Sequence, residues 1–288
     1  MNDVIVINKE KDYTSRDVVN IVGKELNTKK IGHTGTLDPL ATGVLVVCVG
    51  KATKLVEILT SNDKEYIAEV LLGVKTDTLD ICGNKLEEKD ALFSKDKIES
   101  VLNKLIGSYE QEVPIYSAVK INGKKLYEYA RNNEEVVLPK RLVTIKELKL
   151  LDEVKYENNK TIFRISCKVS KGTYIRSLIN DIASNLNTIG IMTNLQRTKQ
   201  GIFSIDDSYT LDQIKMHDFK LISIEDSIND CEKIIVDEEK EFKIKNGVKM
   251  PNIYNSHKIL FLNSLGKAIA LYKISSKDET VLEVFKMF

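Results

Sequence analysis

The densest group of residues able to do chemistry is the run Gly32-His33-Thr34-Gly35-Thr36-Leu37-Asp38-Pro39-Leu40-Ala41-Thr42-Gly43. Three glycines, one proline and three threonines surround a single carboxylate. Glycines let the backbone approach a ligand closely, and threonine hydroxyls with an Asp-Pro step fix tight turns. Such a loop holds Asp38 in place, as a nucleophile or a phosphoryl acceptor would need. Taken alone, Asp38 fits equally an ordinary turn in which its side chain bonds its own backbone, and His33 fits a solvated loop residue.

Two nucleotide-binding loops are excluded by the residues after the glycines. A P-loop places Lys-Ser/Thr directly after its last glycine, whereas Gly43 precedes Val44-Leu45. A dinucleotide fingerprint opens a helix, and here the loop runs into a β-type apolar segment. A phosphoryl-accepting aspartate needs further carboxylates for magnesium, and none lies close in sequence.

The elements around the loop follow from hydrophobic periodicity. Val4 to Asn8 reads as a short strand. Thr14 or Ser15 then caps a helix whose inner face carries Val18, Val19, Ile21, Val22 and Leu26. A buried strand spans Val44–Val49, followed by a helix over Lys51–Leu59, so Asp38 sits just before a core strand. Further strands are expected at Glu65–Leu72, Leu142–Leu151 and Thr161–Val169, with helices at Ser94–Ile106, Lys124–Arg131 and Thr173–Asn185. Without a regular βαβ repeat, this mixture predicts an α+β fold with a largely antiparallel sheet and flanking helices. Beyond a compositional change between Ser208 and Ile234, three strands at His257–Asn263, Lys267–Ile274 and Thr280–Phe285 predict a small β-rich unit. The expected division is 1–230 and 231–288, with the smaller part leaning on the larger.

With 288 residues, 42% hydrophobic and 30% charged, the chain is long and apolar enough for a folded, enzyme-sized body. The net charge of +1 hides an uneven distribution. Lys160 to Gly201 holds seven basic residues against the single acid Asp181, while Ile202 to Phe242 is acidic. The first stretch suits a phosphate backbone. A second basic cluster, Lys120, Lys124, Lys125, Arg131, Lys140 and Arg141, is interleaved with Tyr127 and Tyr129. Cys48, Cys82, Cys167 and Cys231 stand far apart, which predicts neither zinc nor a disulfide framework. No signal-peptide pattern or membrane-length apolar run occurs, and a reducing cytoplasm is expected.

The string from Gly32 to Leu45 closely resembles the catalytic motif of the TruB family of tRNA pseudouridine synthases. The resemblance continues in order along most of the chain. Lys64-Glu65-Tyr66 is similar to the family's short tyrosine motif. Pro114-Ile115-Tyr116-Ser117-Ala118-Val119-Lys120 and the subsequent Gly123 to Arg131 resemble its P-x-x-S-A-x-K segment. Lys171-Gly172-Thr173-Tyr174-Ile175-Arg176 resembles its K-G-T-Y-I-R segment, and Leu195-Gln196-Arg197 its L-x-R motif.

The resemblance implies a pseudouridine synthase catalytic domain with a small PUA-like C-terminal domain. The implied reaction isomerises uridine 55 in the T-arm of tRNA, without metal or organic cofactor. Asp38 is the implied catalytic carboxylate, working either by addition to C1′ or through a glycal. Arg176 is its expected partner, since an arginine beside a carboxylate orients it and favours its charged form. Tyr66 would stack on the base or carry the proton leaving C5. Tyr174 would be the second tyrosine of the site, Leu195 an apolar contact on the flipped uracil, and His33 a neighbour of the extruded nucleotide. Lys9, Lys120, Lys124, Lys125 and Arg131 would contact the RNA, whose base must be turned out at a cost of a few kcal/mol. The expected protein is a monomer with tRNA as its partner.

The match departs from the family in two places. Glu10 and Asp12 replace the usual Pro and Gly after Lys9. Residues 234–288 resemble a PUA-like domain only loosely, and the acidity before Glu241 does not suggest a strong phosphate grip. A rival function is an RNA chaperone that folds the T-arm without catalysis, and a further alternative is the same chemistry on a different RNA. The presence of Asp38, Tyr66, Tyr174 and Arg176 speaks against the first.

Overall fold

A computed structural model describes residues 1–254 and 256–288. Its main element is a ten-stranded sheet. The strands are β1 (Val4–Lys9), β2 (Ile31–His33), β3 (Thr42–Val49), β4 (Lys64–Leu72), β7 (Gly107–Glu112), β10 (Lys140–Leu150), β11 (Lys155–Glu157), β12 (Lys160–Val169), β13 (Gly190–Gln200) and β14 (Phe203–Ser204). Two small ribbons interrupt this series: β5 (Val74–Thr76) with β6 (Lys85–Glu88), and β8 (Lys120–Ile121) with β9 (Lys124–Lys125). The spatial order is β1-β3-β13-β4-β12-β10-β7, with β2 beside β3. All pairings are antiparallel except β13 with β3, which are parallel over Gln196–Thr42 and Arg197–Gly43.

Helices α1 (Ser15–Glu25), α2 (Val56–Thr60), α3 (Lys95–Lys104), α4 (Leu126–Arg131), α5 (Ile175–Asn185) and α6 (Leu211–Lys215) flank the sheet. The capping box that opens α1 is written in the sequence: the Thr14 hydroxyl accepts the Asp17 N–H at 3.1 Å, and the Asp17 carboxylate accepts the Thr14 N–H at 2.9 Å. Ile175, Leu178, Ile179 and Ile182 line the buried stripe of α5, which packs with α3 over Val70, Phe163 and Ile165. β3 is apolar without alternation because both its faces are covered. Leu45 and Val47 face α1 and α6, whereas Val44 and Val46 face a second sheet.

That second sheet has the order β15-β17-β18-β19-β16. Its strands are β15 (Glu232–Ile235), β16 (Met250–Pro251), β17 (Lys258–Leu262), β18 (Ala268–Ile274) and β19 (Val281–Met287), with α7 (Glu238–Lys245) between the first two. Leu260, Leu262 and Leu271 join Val4, Val6 and Val46 in one apolar cluster, so the C-terminal sheet closes the back of β1 and β3. The three expected C-terminal strands and the α+β architecture are present.

Three expectations need correction. The helix over Lys51–Leu59 starts as a 3₁₀ turn, Gly50–Leu55, and becomes α-helical only at Val56. The helix over Lys124–Arg131 starts at Leu126, because Lys124 and Lys125 pair with Ile121 and Lys120. β13, the strand between β3 and β4, is absent from the expected strands: GIMTNLQRTKQ mixes buried apolar and polar residues and carries bulges near Thr193 and Thr198, so no period of two is visible.

The β3–β13 contact depends on Gly43. Its φ is +97°, and a Cβ there would lie 2.2 Å from the Arg197 carbonyl oxygen. Gly43→Ala is therefore expected to destabilise the protein by on the order of 3 kcal/mol in urea unfolding; an unchanged midpoint would contradict this packing.

Candidate active site

Asp38 lies half-exposed between β2 and β3, and the sequence holds its loop from behind. The Ser15 hydroxyl accepts the Leu37 N–H at 2.9 Å and donates to the Leu37 carbonyl at 3.2 Å. Asp12 donates its N–H to the Pro39 carbonyl at 2.8 Å. The Lys9 ammonium, fully buried, donates to the carbonyls of Glu10, Tyr13 and Pro39 at 2.9, 2.6 and 3.3 Å. Those contacts use all three of its protons on backbone. Lys9 therefore stands behind the loop and does not line the cleft in front of it. Burial lowers its pKa to about 8, against the opposing charges of Asp12 and Asp38.

In front of the loop, Arg176 projects from the first turn of α5 and is 6% exposed. Its Nε lies 3.0 Å from Asp38 Oδ2 and 3.9 Å from Asp80 Oδ2. Nη1 donates to the Thr78 carbonyl at 2.9 Å, and Nη2 to the Tyr116 carbonyl at 3.0 Å. Asp80 is itself fixed, its Oδ1 accepting from the Thr78 hydroxyl at 2.8 Å and the Cys82 N–H at 3.0 Å. The guanidinium thus joins separate segments of the chain while presenting one carboxylate, Asp38, to a cleft of about 680 Å³.

Tyr66, Tyr174 and Leu195 also line this cleft. Tyr66 stands on β4 in register with Cys167 of β12 and Arg197 of β13. Burial pushes its phenol above the usual value, with the Arg197 guanidinium pulling the other way, so Tyr66 is a protonated phenol at neutral pH. Arg197 is 1% exposed and donates from Nε to the Val44 carbonyl at 2.6 Å and from Nη2 to the Gly35 carbonyl at 3.0 Å. Lys64, at the start of β4, turns its ammonium to the carbonyls of Thr60 and Asn62, and burial lowers its pKa to about 8.

His33 lies outside the cleft lining, at the end of β2. Its Nδ1 accepts the Gly35 N–H at 3.3 Å. Burial, reinforced by Arg197 and Arg16, lowers its pKa, which leaves a neutral ring at pH 7. The basic residues gather elsewhere on the rim. Lys125 lies opposite Lys120 in the β8–β9 ribbon, and both Lys125 and Arg131 lie over the Tyr127 ring, at 5.3 and 5.2 Å. Lys124 lies 4.6 Å over Tyr129 and is paired with Glu134. Of this group only Tyr127 lines the cleft, together with Arg141. Asp80 and Thr78 carry no local signal in the sequence that would single them out, and their part in the site becomes visible only once Arg176 is placed.

The fold has solved counterparts. A structure of an H/ACA RNP bound to a substrate RNA containing 2'-deoxyuridine aligns with a TM-score of 0.70 at 24% identity, covering 99% of this chain and 84% of the other. A Cbf5-Nop10-Gar1 complex aligns at 0.71 with the same identity and coverage. These likenesses show a shared fold along nearly the whole chain. In sequence, the profile of the TruB family pseudouridylate synthase (N terminal domain) matches residues 24–175. The tRNA pseudouridine synthase B of Bacillus subtilis (strain 168) is 40% identical over 286 residues, 94% of this chain and 93% of that protein. The tRNA pseudouridine synthase B of Fusobacterium nucleatum is 52% identical over 206 residues, covering 72% and 70%. The chain belongs to the TruB family.

Buried Lys9 gives a pH signature. Its proton is bound more weakly in the folded state, so folding is penalised below pH 8 and the penalty disappears as pH rises towards 10.5. The stability of the wild type relative to Lys9→Met should rise by up to about 3 kcal/mol over that window. Denaturant unfolding at pH 7.5 and 10 measures it; a difference independent of pH would contradict the lowered pKa of Lys9.

Proposed function

We propose that this chain converts uridine 55 in the T-arm of tRNA to pseudouridine, with Asp38 as the catalytic carboxylate. The observation that carries the reading is the 3.0 Å pairing of Asp38 with buried Arg176 at the mouth of a cleft lined by Tyr66, Tyr174 and Leu195. Membership of the TruB family and the name shared by its relatives, tRNA pseudouridine synthase B, support both the reaction and the substrate.

The reaction breaks the C1′–N1 bond, turns the uracil and joins C1′ to C5, leaving the redox state unchanged. Asp38 acts as an anion, by adding to C1′ or by removing a sugar proton to give a glycal. Arg176 neither gives nor takes a proton; it holds the carboxylate in one orientation while the base is detached. Leu195 and the face of Tyr66 receive the uracil, and the high phenol pKa suits Tyr66 to stacking and to passing on, rather than permanently losing, a proton. Tyr174 lines the same cleft.

Chemistry at C1′ requires the nucleotide to leave its stack, and the rim supplies cations for the surrounding phosphates. Lys120 and Lys125 face each other directly across the β8–β9 ribbon. Lys124, Arg131 and Arg141 extend the same rim, with cations stacked on the Tyr127 and Tyr129 rings. His33, neutral and beside the Asp38 loop, would fill the place the nucleotide leaves. Lys9 supports the site from behind rather than by touching RNA.

Residues 231–288 would form a PUA-like RNA-binding unit, seated on the back of β1 and β3. The protein would act as a monomer in the cytoplasm; among the described residues no helix is long and apolar enough to cross a membrane.

The test is conversion of an unmodified tRNA transcript, mapped by carbodiimide labelling and primer extension. Wild type should modify position 55, and Asp38→Asn should be slower by on the order of a thousandfold or more. Conversion by both proteins would remove Asp38 from the mechanism, and tight tRNA binding without conversion would favour a chaperone.

A further inference from the structure

Behind Tyr174, away from the cleft, a buried polar chain connects β7 to α5. Gln111 is 2% exposed, and its amide oxygen accepts the Tyr174 main-chain N–H at 2.8 Å. Its amide nitrogen donates to the Tyr109 hydroxyl at 3.1 Å, and that hydroxyl donates to Asp181 Oδ2 at 2.7 Å. The direction of this chain is forced. A main-chain N–H can only donate, so the amide oxygen faces Tyr174 and the amide nitrogen faces Tyr109. Tyr109 then has its own proton left for Asp181, which accepts it.

The endpoints give the chain its meaning. Tyr174 is the residue that opens α5, and no side chain caps it there. Asp181 lies seven residues later, about two turns along the same helix. The chain therefore braces the helix at its start and at its middle against one strand. Arg176, two residues past Tyr174, is the group that reaches Asp38. Burial raises the pKa of the Tyr109 phenol, so its bridging proton stays in place.

We infer that Tyr109, Gln111 and Asp181 are positioning residues: a one-directional hydrogen-bond relay that sets Tyr174, and through the start of α5 Arg176, for the isomerisation. The inference rests on the reading of the cleft under Proposed function. A shift of even 1 Å in a positioned group can cost about a hundredfold in rate. A second tie between the same elements, from the Ser177 hydroxyl to the Glu112 carbonyl at 2.8 Å, is independent of the relay and keeps α5 docked when the relay is altered.

The polarity of the relay makes it testable by inversion. Gln111→Glu sets two carboxylates against one phenol proton, which breaks the chain. Adding Asp181→Asn restores it in reverse: the new amide donates to Tyr109, Tyr109 donates to the new carboxylate, and that carboxylate still accepts from Tyr174. The double variant also keeps the wild-type net charge. Single-turnover conversion and RNA affinity are measured on a T-arm stem-loop, at a temperature where circular dichroism shows each variant folded. Gln111→Glu should lower the conversion rate by about tenfold or more with RNA affinity within about twofold, and the double variant should return to within about threefold of wild type. Wild-type rates in a folded Gln111→Glu, or a double variant no faster than the single, would overturn the relay. Should Gln111→Glu not fold, Tyr109→Phe removes only the middle hydroxyl; a loss of about fivefold in rate at unchanged affinity supports the relay, and an unchanged rate overturns it. If the wild type itself converts no uridine, the reading of the cleft falls and this inference with it.

Discussion

Arg176 carries its charge where water hardly reaches, and a guanidinium so buried must find acceptors for its donors close by. It finds them on separate segments: Asp38 in the Gly-rich loop, the Thr78 carbonyl and Asp80 beyond β5, and the Tyr116 carbonyl. Other contacts hold these segments as well, Ser15 and Lys9 the loop and Met192 the main chain of Leu79 and Ile81, and Arg176 is the side chain they share. The guanidinium locks them into one arrangement, and its planar geometry admits little variation in how they meet. The orientation of Asp38 is thus a consequence of a charge that has to be neutralised, and the cleft is shaped around that neutralisation.

A second buried arginine performs the matching task for the scaffold. Arg197 binds the carbonyls of Val44 and Gly35, tying β13 to β3 and to the loop that carries Asp38. Gln200, three residues on, reaches the Thr34 carbonyl and hydroxyl and the Leu59 carbonyl with its amide nitrogen. Lys9 does the same from β1. The loop that carries Asp38 is therefore held by buried polar side chains directed at its main chain rather than by apolar packing alone. That explains how a stretch so rich in glycine keeps a single shape.

The sequence conveys some of these features and hides others for physical reasons. Apolar runs and caps announce β1, α1, β3, β4 and β12, because burial on one or both faces leaves a periodic trace. Asp38 and Arg176 stand out through the ordered motifs around them, and the structure brings those two together with Tyr66, Tyr174 and Leu195 around one cleft. β13 leaves no periodic trace, since its buried positions include Arg197 and Gln200, polar groups that a pattern of hydrophobicity counts as exposed. Asp80 is hidden because its partner lies 96 residues away along the chain and only the fold brings them together. Lys9 is visible in sequence as a basic residue suited to RNA, yet its protons go to the loop; a lysine that gives every proton to backbone carbonyls looks, in sequence, like any other lysine.

The central claim is that Arg176 acts on Asp38 rather than on the RNA. Single-turnover release of tritium from tRNA labelled at uridine C5 reports the chemical step, and nitrocellulose filter binding of the same RNA reports affinity. Arg176→Lys keeps the charge but not the planar set of donors. It should slow tritium release by about a hundredfold or more while leaving the tRNA Kd within about twofold. A variant that releases tritium at the wild-type rate, or one whose loss of rate is matched by its loss of affinity, would contradict the central role given to this pair.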